Sequence, residues 1–449
     1  MLLSHPQLKP NKTPVFLAFL GIAFYSLFAY DLVRTDYIKL ICLYTGLFIL
    51  FAALVIYQKH NIKFLTFISF LFRAVFLLSI PNLSQDFYRF IWDGRMLLEG
   101  WNPYLSTPEF FISKGEFPIF QAQELYDGMG TLNGSHYTNY PPLNQICFVL
   151  ANLIPGKGIL SSVIGMRLLI IAADFGTLYY GKKLLEKLNI PSHNIFWYIL
   201  NPFIIIELTG NLHFEGVMIF FLVWSLYLMQ YEKWRSAAAA FACSVSIKLI
   251  PLIFLPLFFQ KFGWKKSLRF YVIVGLISAL FFVPFYSSEF FNNYTETVGL
   301  WFQNFEFNGS LYYIAREIGY SFRGYNEIGV IGKIIPVLVI LFVLLITFFR
   351  NNKALPQLIS AMLLVLAFYF FVSTTVHPWY IATLLILSVF TKYKFPLVWS
   401  LMIVLSYLAY AKNDNTENLW IIGLEYATVY GVLIWDVFLN GKQINKKTT

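Results

Sequence analysis

Charge is what this sequence has least of. Asp, Glu, Lys and Arg make up 12% of its 449 residues, about half the roughly 25% of a soluble domain. That shortage excludes a chain that surrounds itself with water. Cysteine is as sparse: Cys42, Cys147 and Cys243 all lie in apolar stretches, which leaves no disulfide framework and no zinc pattern. A glycine-rich phosphate loop, an internal repeat, HExxH or HxxxH metal spacing and a nucleophilic triad are all missing, which disfavours a nucleotide-driven pump. The opening MLLSHPQLKPNK lacks the order of charge, apolar core and cleavage site that a signal peptide needs, so the first apolar span is expected to stay in the protein.

What is present is apolar bulk: 58% of residues are hydrophobic and 20% aromatic. Runs of roughly 17 to 25 apolar residues recur along the chain, each long enough to cross a hydrocarbon core of about 30 Å as a helix. The expected fold is an all-α polytopic membrane protein of about twelve to fourteen helices. Its first spans lie near 14–31, 38–57 and 62–80, joined by DLVRTD and QKHNIK. The net charge of +10 sits mainly in short connections and implies no nucleic-acid partner. YEKWR, QKFGWKKSLR, FFRNNK, TKYK and the tail GKQINKKTT are all candidates for the cytoplasmic side.

With KPNK inside, three crossings place residue 81 outside. The chain then divides into N-terminal membrane helices (1–80), a first large external loop (81–142) and the remaining membrane helices and loops (143–449). The loop carries seven acidic and three basic residues, the reverse of the whole chain. The segments 288–325, VHPWY and AKNDNTEN are expected on the same side. Two places resist a simple count. LNQICFVLANLI (143–154) is short enough to be re-entrant or interfacial, and the run 236–260 is interrupted by Lys248 and Pro251. Irregular backbone at membrane depth is tolerated where it is buried or lines a cavity, so both places point to one.

The loop opens on SQDFYRFIWDGRMLLEGWNPY. Read as an amphipathic juxtamembrane helix, it puts Phe87, Phe90, Ile91 and Leu98 on one face and Asp86, Arg89 and Asp93 on another. Two carboxylates so placed serve as a general base or bind a divalent cation, and Arg89 lowers their pKa values or holds an anion. Intrahelical ion pairs on a solvated face, worth a few tenths of a kcal/mol, fit the spacing equally well. His136, Tyr137 and Tyr140 in SHYTNYPPLNQ suit stacking on sugar rings and suit an interfacial aromatic belt as well.

Among intramembrane charges, costly and usually functional, Lys248 in SVSIKLIPLIFLP is either a phosphate-holding cation or a snorkelling lysine at a helix end. Arg167 and Asp174, seven residues apart on one face, are expected to form a structural pair; Glu207 lies at the membrane border. GNLHFEG joins His213 to Glu215, and VHPWY sets His377 beside Trp379 and Tyr380. A lone histidine is more often structural, so neither site counts alone.

In order, DFYRFIWDG with EGWNPY, NYPPLNQ, ILNPFIIIELTGNLHFEG, SIKLIPLIFLP, WFQNFEFNGSLYY and VHPWY resemble the motifs of the GT-C glycosyltransferases. The likeness is nearest to bacterial polyprenyl-phosphate-dependent mannosyltransferases and more remote to the first mannosyltransferase of glycosylphosphatidylinositol assembly; it runs from about residue 84 to 380. It implies an inverting transfer of a hexose, mannose by the nearest relatives, from a polyprenyl-phosphate donor to a lipid or glycan acceptor on the periplasmic side of a bacterial inner membrane. Membrane lipids would surround it, and nucleic acid has no part.

By the same likeness Asp86 and Asp93 are the catalytic acids, Asp86 deprotonating the acceptor hydroxyl. Lys248 and His377 would by that likeness hold the donor phosphate; Arg89 is a further candidate for that role, and Tyr140, His213, Glu215, Trp379 and Tyr380 are candidates for contact with the sugars. A phosphate leaving group carries its own charge and needs no general acid. The chain has no strict Asp-x-Asp, so no metal requirement carries over and a divalent cation, Mg or Mn, stays open. A transporter or flippase of a lipid-linked sugar, with Lys248, Asp174 and Glu207 lining a path, and a structural subunit that docks a partner through its loops are the competing readings.

Overall fold

The computed structural model describes residues 12–156, 158–303, 305–411 and 416–439. The N-terminal MLLSHPQLKPN, the centre of AKNDNTEN and the tail GKQINKKTT lie outside these residues. Seven described helices are long and apolar enough to cross a membrane: Thr13–Tyr30, Tyr37–Gln58, Ile159–Lys187, Ile250–Phe285, Ile328–Phe349, Leu355–Val372 and Leu419–Phe438. A bent pair, Pro202–Gly210 with Glu215–Gln230, turned by 116°, makes the number up to eight if it is counted as one span. Short apolar helices such as Pro378–Val389 and Phe395–Ala411 complete the bundle. Among the described residues the only β pairing is an isolated bridge between Phe307 and Thr375. The protein is an all-α, polytopic membrane protein.

Local chemistry sets the helix ends. The Asp36 carboxylate accepts from the Lys39 N–H, and Asn61 caps Ile62–Val75 in the same way through the Phe64 N–H, each satisfying a donor the helix leaves free. The third span, expected over 62–80, stops at Val75. Its last turn carries Arg73, fully buried, whose Nε donates to Asp174 Oδ2 at 2.7 Å and whose Nη1 donates to the carbonyls of Ser69 and Ile199 at 3.0 and 2.7 Å. A buried guanidinium held on three sides fixes this helix to its neighbours and lets the chain turn away early.

Asp174 therefore belongs to Arg73, not to Arg167 as its spacing suggests. Arg167 has other work at the bend after Pro202. There the chain forms a π-turn, Ile205–Gly210, and then places Leu212 at φ 65°, a conformation disfavoured for a branched residue. The freed carbonyls of Thr209 and Gly210 accept from Arg167 Nε and Nη2 at 2.9 and 3.1 Å, while its Nη1 reaches the carbonyls of Leu77 and Ser79 at 3.0 and 2.9 Å. One side chain thus satisfies two broken segments at once.

The second irregular place resolves similarly. Helix Trp234–Ile247 ends, Lys248 is extended at φ −146°, ψ 140°, and a 3₁₀ segment Ile250–Leu257 carries Pro251 and Pro256, which supply no N–H to an α ladder. The short helix Pro142–Asn152 packs against Asp86–Leu98 at backbone contact. A Cβ on Gly94 would sit 2.7 Å from the Phe148 carbonyl oxygen, so the glycine of DFYRFIWDG is what admits this approach.

Removing one partner of a buried ion pair leaves an uncompensated charge and costs about 3 to 5 kcal/mol. Asp174→Ala should lower the unfolding midpoint in detergent by a matching amount, and the double variant Arg73→Met, Asp174→Leu should recover most of it. An Asp174→Ala protein as stable as wild type would show that the pair does not hold the bundle.

Candidate active site

The Asp86–Leu98 helix, the segment 129–141, the break at Lys248, the loop 305–307, helix Ile328–Phe349 and the corner 377–380 together enclose a cavity of about 1120 Å³. Its lining includes Asp86, Arg89, Tyr140, Glu215, Lys248, His377, Trp379 and Tyr380. Residues spread over almost 300 positions thus meet in one chamber. Part of the lining is polar and charged. Elsewhere it is aliphatic, built from Ile250 and Ile253 of the 3₁₀ segment and Ile335, Val339 and Ile340 of a membrane helix.

Asp86 opens its helix, where the unsatisfied N–H groups and dipole favour a carboxylate. Its own N–H donates to Ser84 Oγ at 3.3 Å, and Asn133 Nδ2 donates to Oδ1 at 3.4 Å. One side of it faces the cavity. Burial raises its pKa above the ordinary 3.8, opposed by the charge of Lys248, the Asn133 bond and the charge of Arg34. A carboxylate so placed is more basic than a solvated one.

Asp93 is different. It is fully buried and absent from the cavity lining. Arg89 Nε donates to its Oδ1 at 2.8 Å and Gln145 Nε2 to its Oδ2 at 3.0 Å. The expected second acid is thus a fixed counter-ion, kept from substrate by its own partners. Arg89 also spends Nη1 on the carbonyls of Asn133 and His136, at 2.6 and 2.9 Å. It lines the cavity, its Nη2 is buried without a partner, and its main effect is to tie the Asp86 helix to the segment that carries Asn133.

Lys248 projects from the extended break and pairs with Glu215, the first residue of helix Glu215–Gln230. Glu215 Oε2 is buried with no hydrogen-bond partner. Tyr140 stands nearby, with Lys248 Nζ 5.8 Å from its ring centroid. The Tyr140 carbonyl accepts from Tyr104 Oη at 2.6 Å, so the EGWNPY and NYPPLNQ stretches brace one another.

His213 does not line the cavity. It stacks on Trp379 at 3.7 Å, and His377 covers the other face of the same indole at 4.6 Å. The stack continues through Phe307, 5.2 Å from His377, to Tyr410, 5.9 Å further on, over which the Arg34 guanidinium lies at 3.3 Å. Both faces of Trp379 are occupied, so it offers a sugar only its edge. His213 acts through Trp379 and not by contact.

Arg34, Asn133, Tyr407 and Tyr410 also line the cavity and were not legible beforehand. Arg34 alone left a signal: a basic residue in DLVRTD, a connection expected outside, runs against the usual charge bias. Glu207 lies just behind, accepting from Tyr407 Oη at 2.9 Å through both oxygens and from Asn211 Nδ2 at 3.4 Å. Asn211 Oδ1 in turn accepts from the Leu83 N–H at 3.3 Å, which steadies the approach to Asp86. Among the described residues no group of three or more His, Cys, Asp or Glu side chains is arranged to hold a metal ion.

The two acids should separate by stability. Asp93→Asn, which weakens a buried pair, should lower the unfolding midpoint, whereas Asp86→Asn, which relieves a carboxylate stabilised mainly for function, should leave it unchanged or raise it. Scanning fluorimetry on both proteins checks this, and equal losses would remove the distinction.

Residues 18–261, more than half of the chain, match the family model described as alpha-(1->6)-mannopyranosyltransferase, N-terminal domain. The chain is similar to alpha-(1->6)-mannopyranosyltransferase A of Mycobacterium tuberculosis, 22% identical over 197 residues, covering 44% of this chain and 36% of that protein. It is likewise similar to alpha-(1->6)-mannopyranosyltransferase A of Corynebacterium glutamicum, 23% identical over 181 residues, covering 40% of this chain and 35% of the relative. The aligned part thus spans about a third of the length of these curated relatives. Asp86, Glu215 and Lys248 fall inside the matched segment and His377 beyond it. On that match over the segment that supplies the charged wall of the cavity, the chain belongs to the alpha-(1->6)-mannopyranosyltransferase (MptA_B) family.

Proposed function

We propose that the protein is an inverting GT-C-type mannosyltransferase that moves mannose from a polyprenyl-phosphate donor to a lipid or glycan acceptor. The observation that carries this reading is a single cavity in which Asp86 and Lys248 share a charged wall while membrane-helix residues such as Ile335 and Val339 line another side. A lipid-linked sugar needs that combination, since its chain stays in hydrocarbon while its phosphate seeks a cation. The names of the family and of the two relatives support mannose as the sugar.

In the proposed step the acceptor hydroxyl gives its proton to the Asp86 carboxylate. The acceptor oxygen pair forms the new bond to the anomeric carbon from the face opposite the phosphate. The old carbon–oxygen bond breaks with its electron pair going to the phosphate, whose developing charge meets Lys248, with Arg34 on the same wall. His377, held in its stack, shapes the phosphate end. No step is routed through the divalent cation that the sequence left open.

The chain path supports one sidedness. Helix Glu215–Gln230 begins at the cavity and ends at the basic YEKWR, and QKHNIK joins the ends of Tyr37–Gln58 and Ile62–Val75 away from Asp86. The positive-inside bias supports a cytoplasmic location for those ends and, with it, a cavity on the periplasmic face of a bacterial inner membrane.

Purified protein in lipid nanodiscs, given radiolabelled mannosyl polyprenyl phosphate and a glycolipid acceptor, should transfer label. Asp86→Asn should reduce the rate by about 10² to 10⁴-fold, the range for loss of a general base. Unchanged transfer would remove Asp86 as the base, and movement of donor across the bilayer without transfer would favour the transporter. The rate should also rise with pH through a limb above 3.8, because burial raises the Asp86 pKa and the ionised form is the active one. Asn133→Ala should move that limb to higher pH, since the lost bond favours the carboxylate.

A further inference from the structure

Lys248 does not face its ligand alone. Its ammonium is held by Glu215, whose side chain is 4% exposed against 20% for the lysine, so the carboxylate sits behind the cation and inside the protein. Glu215 is the first residue of its helix, where the backbone dipole favours a negative charge. Glu215 is among the residues that line the cavity, and its second oxygen is buried with no hydrogen-bond partner. The nearby Arg89 is neutralised by Asp93. Glu306, also on the cavity, is paired with Arg316, which leaves Lys248 and Arg34 set against Asp86 and Glu215.

Such balance is unexpected in a site built only to hold phosphate, because a buried anion beside the binding lysine weakens the attraction. It makes sense for the two phosphates this cavity meets in turn, on the reading above that it takes a polyprenyl-phosphate sugar. The donor is a phosphodiester with one negative charge. When the anomeric carbon–oxygen bond breaks, the phosphate keeps that oxygen and its electron pair and becomes a monoester, about −1.5 to −2 near pH 7. A site of unopposed cations binds the monoester more tightly than the donor and stalls after one turnover. Repulsion from a fixed anion rises with the charge of the ligand, so it acts more strongly on product than on donor.

We infer that Glu215 is the residue that makes the site discriminate against the spent polyprenyl phosphate, favouring its release over its retention. Lys248 provides attraction to both esters as a compact point charge, and Glu215 sets the difference between them. It is a specificity-determining group for the phosphate's charge state, not the base.

The test compares two probes, a short polyprenyl phosphate and its O-methyl phosphodiester, each displacing radiolabelled donor from the full-length protein in nanodiscs. Wild type should bind the diester at least as tightly as the monoester. Glu215→Gln should tighten the monoester at least tenfold while changing the diester less than threefold, and Glu215→Asp should restore the wild-type ratio. Should Glu215→Gln fold poorly, the wild-type ratio still decides, since a tenfold preference for the monoester overturns the inference. A Glu215→Gln ratio within twofold of wild type does so as well. If neither ester displaces donor, the donor reading itself fails, a result distinct from an unaltered ratio.

Discussion

Peptide groups freed at the bend between Gly210 and Glu215 have no water to turn to, and most of the site depends on how they are satisfied. Arg167 answers from a neighbouring helix, accepting no partner charge and donating only to backbone carbonyls. Because it does so, Leu212 can hold its left-handed turn, Glu215 can start a helix at cavity level and Lys248 can meet it there. A guanidinium with several donors in a fixed plane suits such a corner better than an ammonium. The irregular backbone is therefore not a defect in a crossing but the means of bringing charge to a chosen depth.

Around that corner the ionisable groups sort into two kinds. Arg73 with Asp174 and Arg89 with Asp93 are buried ion pairs whose carboxylates lie off the cavity. Asp86, Lys248 and Glu215 are open, all three lining the chamber. Buried pairs tie helices together. Open ones leave electrostatic work to be finished by whatever enters, which is the arrangement expected of a functional site.

Much of this was legible in the sequence. Asp86, Lys248 and His377 were each ambiguous by local spacing, but the order of their motifs along the chain singled them out, and all three line one cavity. The class of fold was plain from the apolar runs. What local pattern could not supply was pairing across distance. Asp174 has Arg167 on its own face at seven residues, yet its partner is Arg73, 101 residues away. Asp93 looked like a twin of Asp86 because helix periodicity puts them together, and nothing in the pattern says that Gln145 would seal one of them off. Arg34 and Tyr410 meet from opposite ends of the chain, a contact that only the closed bundle creates.

The column of stacked rings from His213 to Tyr410 has a thermodynamic side. Side chains packed face to face have already surrendered their rotameric freedom, so a ligand settling against that wall loses little more to ordering there. Another part of the lining, from Ile253, Ile335, Val339 and Ile340, is aliphatic, and side chains of that kind repack more readily. The chamber thus has one side that keeps its shape and one that yields. Ligands of differing bulk will be accommodated by the yielding side, while the stacked side holds their register.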